Sequence, residues 1–333
     1  MKIVVFEIDD WEHQFFEKLR AENEVFCLQE ALSSENASQW ADADIISPFI
    51  YSELSRDVLA ELRPKLIATR STGFDHIAID YCQEQRITVC NVPTYGEHTV
   101  AEHAFGLLLA ISHNIVQGAN RAREGEFTFK GLQGFDLRGK TLGVIGTGNI
   151  GQCMVEIAKG FRLEVVAFDP KPREELAAEL GFRYAEMNEL LSASDIVTLH
   201  VPANDKTHHL LSSEQFEQMK DGAILINTSR GSVIDIQALV HALAEGKVAA
   251  AGLDVLQEEL VMRDEKELLR FIDRQQSNPR LLAEQVLLRL KNVVITPHSA
   301  FNTREARERI IKTTIDNITA FLHGEPQNAV NEK

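Results

Sequence analysis

The stretch Leu142–Gly151, LGVIGTGNIG, decides the fold of this 333-residue chain. Its apolar first half is typical of a buried strand, and its glycine-rich second half is typical of a turn that opens a helix. Gly146 permits a tight turn, Gly148 lets the backbone approach a pyrophosphate, and Gly151 allows the helix to pack closely on the strand. The pattern predicts a dinucleotide-binding turn.

An acid follows the glycines at the distance that this motif requires. Asp169 comes directly after the next apolar segment, Val165–Phe168, and its carboxylate could accept hydrogen bonds from the hydroxyls of an adenosine ribose. The same negative charge repels a 2′-phosphate, so the predicted cofactor is NAD. Lys171 and Arg173 lie close by in the sequence and leave some use of NADP open.

The composition indicates a globular protein with more than one domain. Hydrophobic residues make up 44% of the chain and charged residues 25%, and 333 residues are too many for one ordinary core. The 34 basic and 50 acidic residues give a net charge of −16, which argues against nucleic acid as a partner.

Residues 1–7 indicate a strand rather than a secretory signal, and no apolar run is long enough for a membrane span. We therefore expect a cytoplasmic protein without a membrane partner.

Two series of strand-like segments alternate with helix-like segments, as in parallel α/β sheets. The first series predicts strands at residues 3–7, 44–47, 66–69 and 88–92. The second series predicts six strands, which suit a complete doubly wound dinucleotide domain, at residues 141–145, 164–168, 195–200, 223–227, 249–254 and 292–296. Because the glycine turn normally follows the first strand of its domain, the residues before it must largely form another domain.

Two long helices frame the second series. Val100–Ile111 is almost entirely apolar, which predicts a core helix or a helix buried between subunits, and a homodimer is our first expectation. Arg304–Leu322 has helical spacing and ends at His323–Gly324, a suitable C-cap. That last helix could return to the first domain and make it discontinuous.

Three predicted strand ends carry side chains that could act together. Arg230 follows the strand at 223–227, Glu258 and Glu259 follow the next one, and His298 follows the last. Each has an ordinary explanation by itself: a surface ion pair, a solvated loop acid or a core histidine. Since ligands bind at the carboxyl ends of strands in open α/β sheets, their coincidence at one edge favours a functional site.

Nearly the whole chain resembles the D-isomer-specific 2-hydroxyacid dehydrogenases, and among them the D-lactate dehydrogenase branch. The resemblance rests on STGFDHIAIDY (71–81), NVPTY and TVAEH (91–103), GTGNIG, HVP (200–202), INTSRG, LDVLQEE (253–259) and TPHSAF (296–301). It implies an α/β protein of two doubly wound parallel-sheet domains. A Rossmann NAD-binding domain, residues 100–299, would be inserted into a discontinuous flavodoxin-like substrate domain, residues 1–99 and 300–333.

The resemblance also implies an NAD-dependent reaction. Arg230 would bind the substrate carboxylate, His298 would act as acid and base, and Glu259 would raise the pKa of His298. The expected reaction interconverts pyruvate and D-lactate. Two alternatives stay open: a family member acting on another 2-oxo acid, such as hydroxypyruvate, glyoxylate or a branched or aromatic one, and an NAD-sensing, corepressor-like binding protein.

The remaining site residues come from the same resemblance. Besides Arg230 and His298, the implied substrate contacts are Thr72, Gly73, Tyr95 and Phe301. The implied cofactor contacts are Gly146, Gly148, Asn149, Ile150, Gly151, Asp169, Val201, Pro202, Thr207, Thr228, Ser229, Asp254 and Val100.

Other polar residues receive no role at this point. His98 and His103 lie on the helix around Val100 without the four-residue spacing of a helical zinc pair, and we expect no metal site. Cys153 lies in the first turns of the helix after the glycines, where the helix dipole could lower its pKa. The ordinary explanation of Cys153 is a small core residue.

Overall fold

The structure, a computed structural model, describes residues 1–257 and 279–331. One compact unit is made of Met1–Tyr95 together with Thr303–Lys333, and a second is made of Gly96–Asn302. The second unit is a few residues longer at each end than the range 100–299 expected from the sequence. The second unit starts earlier than expected because the helix predicted from Val100 already begins at Glu97.

The first unit is built on a sheet of five parallel strands in the order β2-β1-β3-β4-β5, which is the flavodoxin-like order. Ile3, Val4 and Val5 in the second strand of this order are fully buried, as strands covered on both faces must be. The strands are β1 (Lys2–Val5), β2 (Glu24–Cys27), β3 (Ile45–Ser47), β4 (Leu66–Ala68) and β5 (Thr88–Cys90). Four of them match predicted strands, and the edge strand β2 was missed.

Helices cover this sheet, and the last one comes from the far end of the chain. The α-helices of the unit are α1 (His13–Phe16), α2 (Arg56–Leu62), α3 (Ile79–Gln85) and α12 (Arg304–Leu322). Thr303 caps α12 by accepting a hydrogen bond from Ala306 N at 3.3 Å. Ile311 and Ile318 of α12 are buried in the same cluster as Ile3 and Val5 of β1, so the chain returns to complete the core of the first unit.

A buried group of charges joins α12 to the N-terminal segment. Arg70 and Glu12 are each 2% exposed, with Arg70 Nη1 3.5 Å from Glu12 Oε2. Arg307 of α12 donates to the other oxygen, Glu12 Oε1, at 2.7 Å. Burial lowers the pKa of Arg70, and the neighbouring Glu12 opposes that shift. Glu12 therefore holds two arginines that lie far apart in the sequence.

The second unit contains seven parallel strands in the order β12-β11-β10-β9-β6-β7-β8. The strands are β6 (Thr141–Ile145), β7 (Glu164–Phe168), β8 (Arg183–Tyr184), β9 (Ile196–Leu199), β10 (Ala223–Asn227), β11 (Val248–Leu253) and β12 (Val293–Ile295). The chain runs outward from β6 in one direction through β7 and in the other through β9, so the strand order reverses beside β6, where doubly wound sheets bind ligands. All six predicted strands are present, and only the two-residue β8 was missed. The two-domain α/β fold class is confirmed.

Helices of the second unit lie on both faces of this sheet. They are α4 (Glu97–Ser112), α5 (Ile115–Arg123), α6 (Asn149–Gly160), α7 (Glu174–Leu180), α8 (Met187–Ala193), α9 (Ser213–Gln218), α10 (Ile236–Ala244) and α11 (Pro279–Leu287). Phe105 and Leu108 of α4 share a buried cluster with Met154 and Ala158 of α6.

In the part of the chain that the structure describes, no single helix is long and apolar enough to cross a membrane. By length and composition the bent pair α4 and α5 passes that test together, with a bend of 65°.

We expect Gly151→Ala to destabilise the second unit. A Cβ at this position would lie 2.1 Å from the backbone oxygen of Gly146, and backbone cannot move aside as a flexible side chain can. The free energy of unfolding, measured with urea, should fall by about 1–3 kcal/mol, the usual cost of overpacking.

Gly160→Ala in the same helix is the matched control. A Cβ there would meet nothing within 4 Å among the described residues, so stability should change by less than about 1 kcal/mol. Equal stability of the two variants would contradict the close approach of α6 to the turn.

Candidate active site

The glycine turn connects β6 to α6 as predicted. Gly146 has a positive φ of 94°, and a Cβ on it would lie 2.4 Å from His200 O and 2.9 Å from Val201 Cγ1. Gly148 is the N-cap of α6, and a Cβ on it would meet nothing within 4 Å among the described residues. Gly146 is thus required by the fold, whereas Gly148 leaves open space beside the unpaired N–H groups of a helix N-terminus. That space fits the pyrophosphate of a dinucleotide.

Asp169 lies directly beside this turn. Its Oδ2 accepts hydrogen bonds from Thr147 N at 2.9 Å and Thr147 Oγ1 at 3.0 Å, and its Oδ1 accepts one from Lys171 N at 2.9 Å. Burial raises the pKa of Asp169, but these hydrogen bonds and the nearby Arg173 outweigh burial and lower it. The carboxylate is therefore ionised at neutral pH, and besides any ribose contact it holds the glycine turn in place.

Four other predicted cofactor residues lie at two places in the second unit. Val201, Pro202 and Thr207 follow β9, where Thr207 Oγ1 donates to Pro202 O at 2.6 Å. Val201 contacts the glycine turn, as the Gly146 geometry requires. Val100 lies in the first turns of α4 and is 8% exposed.

Arg230 lies in a loop organised by the last residue of β10. Asn227 Oδ1 accepts hydrogen bonds from Ser229 N at 3.0 Å and Ser229 Oγ at 2.7 Å, while Asn227 Nδ2 donates to Arg230 O at 3.0 Å. Thr228 Oγ1 is buried and has no hydrogen-bond partner among the described residues. An unpaired buried hydroxyl costs about 1–3 kcal/mol, so a polar group of a bound cofactor would be favourable there.

The loop after β10 packs tightly on the loop after β11. A Cβ at Gly231 would lie 2.3 Å from the backbone carbon of Leu256. Farther along, Gln257 N donates to the buried Glu284 Oε1 at 2.8 Å. Glu259, the predicted catalytic acid, and its neighbour Glu258 lie outside the described residues.

His298 lies in a loop held by one buried carboxylate, that of Asp254. Asp254 is 1% exposed, and its oxygens accept hydrogen bonds from Thr296 Oγ1 at 2.5 Å, Ser299 N at 2.9 Å and Ala300 N at 2.9 Å. His298 N donates to Asp254 O at 2.8 Å, and His298 has a positive φ of 50°. The backbone N–H groups of His298, Ser299 and Ala300 and the hydroxyl of Thr296 are thus all bonded to a single residue directly after β11.

His103 also contacts this network, although it received no role in the sequence-based prediction. Its Nε2 lies 3.0 Å from Thr296 Oγ1 and 3.4 Å from Asp254 Oδ1, and the side chain is 25% exposed. Burial raises the pKa of Asp254, but hydrogen bonds from His103 and its other partners outweigh burial and lower it. A usable signal was available: His103 lies three residues after Val100 and four before Leu107, both buried on α4.

Of the remaining predicted substrate residues, Phe301 belongs to the second unit, while Thr72, Gly73 and Tyr95 belong to the first. Asn91 Nδ2 donates to Thr72 O at 2.8 Å, and Thr72 Oγ1 donates to Val92 O at 2.8 Å. Ser71 Oγ donates to Gly73 O at 2.6 Å. The turn at 71–73 is therefore fixed after β4 within its own unit, and its role toward a substrate stays a prediction.

Known proteins match this chain over its length. The sequence profile described as "D-isomer specific 2-hydroxyacid dehydrogenase, NAD binding domain" matches residues 105–300. The D-lactate dehydrogenase of Escherichia coli (strain K12) is 37% identical over 98% of both chains. The chain belongs to the D-isomer-specific 2-hydroxyacid dehydrogenase family. The glyoxylate reductase of Korarchaeum cryptofilum is 36% identical over 88% of this dehydrogenase and 84% of its own length.

A solved structure agrees with the family in both fold and cofactor. The D-lactate dehydrogenase of Aquifex aeolicus complexed with NAD and lactic acid has a TM-score of 0.88 and 32% identity over the whole of both chains. This dehydrogenase is therefore an NAD-dependent enzyme, and NAD, predicted from Asp169, is confirmed as its cofactor. The individual contact residues remain predictions.

Replacing His103 by leucine should slow the dehydrogenase without weakening its cofactor. The substitution removes a donor to Thr296 and Asp254, which hold the backbone around His298. We expect kcat for NADH oxidation with a 2-oxo acid to fall about tenfold, equivalent to about 1.4 kcal/mol, with the NADH dissociation constant unchanged.

His103→Gln should recover part of the lost activity because an amide can donate in place of the imidazole. His113→Leu, at the exposed end of the same helix, is the control and should behave as the parent. A fall in kcat that glutamine does not relieve would show that His103 acts in another way.

For Asp169→Ala we expect weaker NADH binding and a preference shifted toward NADPH. The substitution removes the hydrogen bonds to Thr147 and the charge that repels a 2′-phosphate. Titrating both cofactors by fluorescence would measure the change, and the ratio of the two dissociation constants should shift by about tenfold or more.

The ratio is the decisive quantity, because loosening the turn weakens both cofactors alike. Asp221→Ala, an exposed acid before β10, should leave the ratio unchanged. An unaltered ratio in Asp169→Ala would remove Asp169 from cofactor selection.

Proposed function

We propose that this NAD-dependent dehydrogenase interconverts pyruvate and D-lactate. The observation that carries the proposal is the position of Arg230 and His298 at the carboxyl ends of β10 and β12, in a sheet that also holds the glycine turn. The choice of substrate is supported by the E. coli and A. aeolicus relatives, which are D-lactate dehydrogenases.

Arg230 is proposed to bind the substrate. Its planar guanidinium can hold a carboxylate through two parallel hydrogen bonds, and it can also polarise a neighbouring keto oxygen. The Asn227 side chain fixes the loop on which it lies, so less conformational freedom is lost when the substrate binds. Thr72, Gly73, Tyr95 and Phe301 are the further substrate contacts of this proposal.

His298 is proposed to transfer the proton. In the reduction its protonated imidazole gives a proton to the keto oxygen of the 2-oxo acid, and in the oxidation the neutral imidazole takes the proton back. NADH supplies the hydride when bound. Glu259 is proposed to stabilise the imidazolium, because a nearby carboxylate favours the charged form of histidine.

A second candidate function is the reduction of glyoxylate or a related 2-oxo acid. It is favoured by the glyoxylate reductase of K. cryptofilum, which matches this chain at 36% identity. Pyruvate and glyoxylate differ by one methyl group, and a difference of this size changes kcat/KM by only about 10- to 200-fold in a hydrophobic pocket. Direct comparison of substrates is therefore required.

We also propose that the protein is cytoplasmic and forms a homodimer. Its four cysteines are all free thiols, as in a reducing compartment. Phe127 and Phe129, 87% and 91% exposed, offer apolar surface that a second copy could cover. Cell fractionation and sedimentation velocity test these two proposals, and a monomer at micromolar concentration would contradict the second.

The test of function is a substrate panel followed by two variants. With NADH, pyruvate should give the highest kcat/KM among pyruvate, glyoxylate, hydroxypyruvate, phenylpyruvate and 2-oxoisocaproate, and the product should be D-lactate. His298→Ala should lower kcat by about 10²- to 10⁴-fold, the contribution of a general acid, without changing NADH affinity. Arg230→Lys should raise KM and lower kcat.

The outcomes separate the alternatives. Highest kcat/KM for glyoxylate would select the second candidate. Tight NADH binding without turnover of any substrate would favour an NAD-sensing binding protein. Equal losses of turnover and NADH affinity in His298→Ala would place His298 at the cofactor rather than at the substrate.

A further inference from the structure

Three donor atoms of different chemistry meet at one place on the second unit. The imidazole of His98, the thiol of Cys153 and the carboxylate of Glu156 each offer one atom, and these atoms all lie within 4.8 Å of one another. Cys153 and Glu156 are one turn apart on α6, and His98 lies in the first turn of α4. Cys153 is 7% exposed, while the other two residues are exposed to solvent.

We propose that His98, Cys153 and Glu156 bind a transition-metal ion of the zinc class. Thiolate, imidazole and carboxylate are the three side-chain ligands that zinc accepts, with a water able to fill the fourth position. Tetrahedral zinc places its ligand atoms roughly 3.3–3.6 Å apart. Cys153 is fixed by burial, and the exposed His98 and Glu156 can turn toward it by the remaining distance.

The donor atoms are available for an ion. Within residues 1–257 and 279–331, neither the imidazole of His98 nor the carboxylate of Glu156 forms a hydrogen bond or a salt bridge. His103 on the same helix differs, because its imidazole already contacts Thr296 and Asp254. The spacing of these residues did not indicate the site, because the two helices that supply them are separated in the sequence by α5 and β6.

Charge around the thiol favours a cation. Burial raises the pKa of Cys153, and the negative charges of Glu156, Glu97 and Glu102 raise it further. The position of Cys153 near the start of α6 suggested that its pKa could be lowered, but the pKa is raised. A divalent ion would compensate these acids and displace the thiol proton on binding.

The ion would link the first turn of α4 to α6. These two helices already pack through Phe105, Leu108, Met154 and Ala158, and α6 begins at the glycine turn. Ligation would therefore add stability to the second unit by mass action. It has no part in the proposed hydride and proton transfer, so the site and the function can be tested separately.

The test is zinc titration of the full-length chain after removal of metal with a chelator, in competition with a chromogenic chelator. One zinc ion should bind per chain with submicromolar affinity and raise the melting temperature. Co²⁺ in place of zinc should give a thiolate-to-metal charge-transfer band. His98→Gln and Glu156→Gln should each weaken zinc binding by about tenfold or more, and Cys153→Ala should abolish the band.

Matched controls lie elsewhere in the chain. Cys82→Ala replaces a buried thiol of the first unit, and His113→Gln replaces an exposed histidine at the end of α4; both should bind zinc as the parent does. Since His98 is exposed, His98→Gln stays informative even if Cys153→Ala fails to fold. Zinc affinity unchanged in His98→Gln, or no saturable zinc binding by the parent, would overturn the proposal.

Discussion

A carboxylate that is almost entirely removed from water must be satisfied by its neighbours, and in the second unit Asp254 is satisfied by the loop that carries His298. Its oxygens bind the Thr296 hydroxyl and the N–H groups of Ser299 and Ala300, with His103 beside them. A buried carboxylate that lost these partners would cost several kcal/mol. The loop therefore has one strongly favoured conformation, in which His298 adopts a left-handed backbone. The position of the His298 loop therefore depends on electrostatic interactions rather than on apolar packing.

The glycine turn imposes a second constraint of a different kind, which is steric. Gly146 lies close to the backbone of His200, directly after β9, and Gly151 lies close to the backbone of Gly146, so neither position has room for a side chain. Asp169 then ties the turn to β7 through Thr147. Because all these groups lie at the carboxyl ends of parallel strands, the sheet brings the nucleotide turn and the loops of Arg230 and His298 to one edge.

Much of this arrangement could be predicted from the sequence, because it depends on local patterns. Apolar runs between polar segments located ten of the twelve strands in the described residues, and the two missed strands, Glu24–Cys27 and Arg183–Tyr184, both lie at sheet edges. Arg230 and His298 were found since both directly follow recognisable strands. His103 was missed because its partners are distant in the sequence. The structural role of Asp254 depends on backbone N–H groups, which every residue except proline carries, so the residue types do not indicate it. The grouping of His98 with Cys153 likewise depends on how two helices pack.

The buried charges of the first unit have a consequence for the order in which the protein is made. Glu12 holds Arg70 and Arg307, and Arg307 lies on α12, near the end of the chain. During synthesis, Glu12 and Arg70 emerge from the ribosome long before Arg307, and the apolar face of α12 is also still missing. The second unit, by contrast, is a continuous range and is complete once residue 302 has been released. The nucleotide-binding unit can thus fold before α12 is available to complete the first unit.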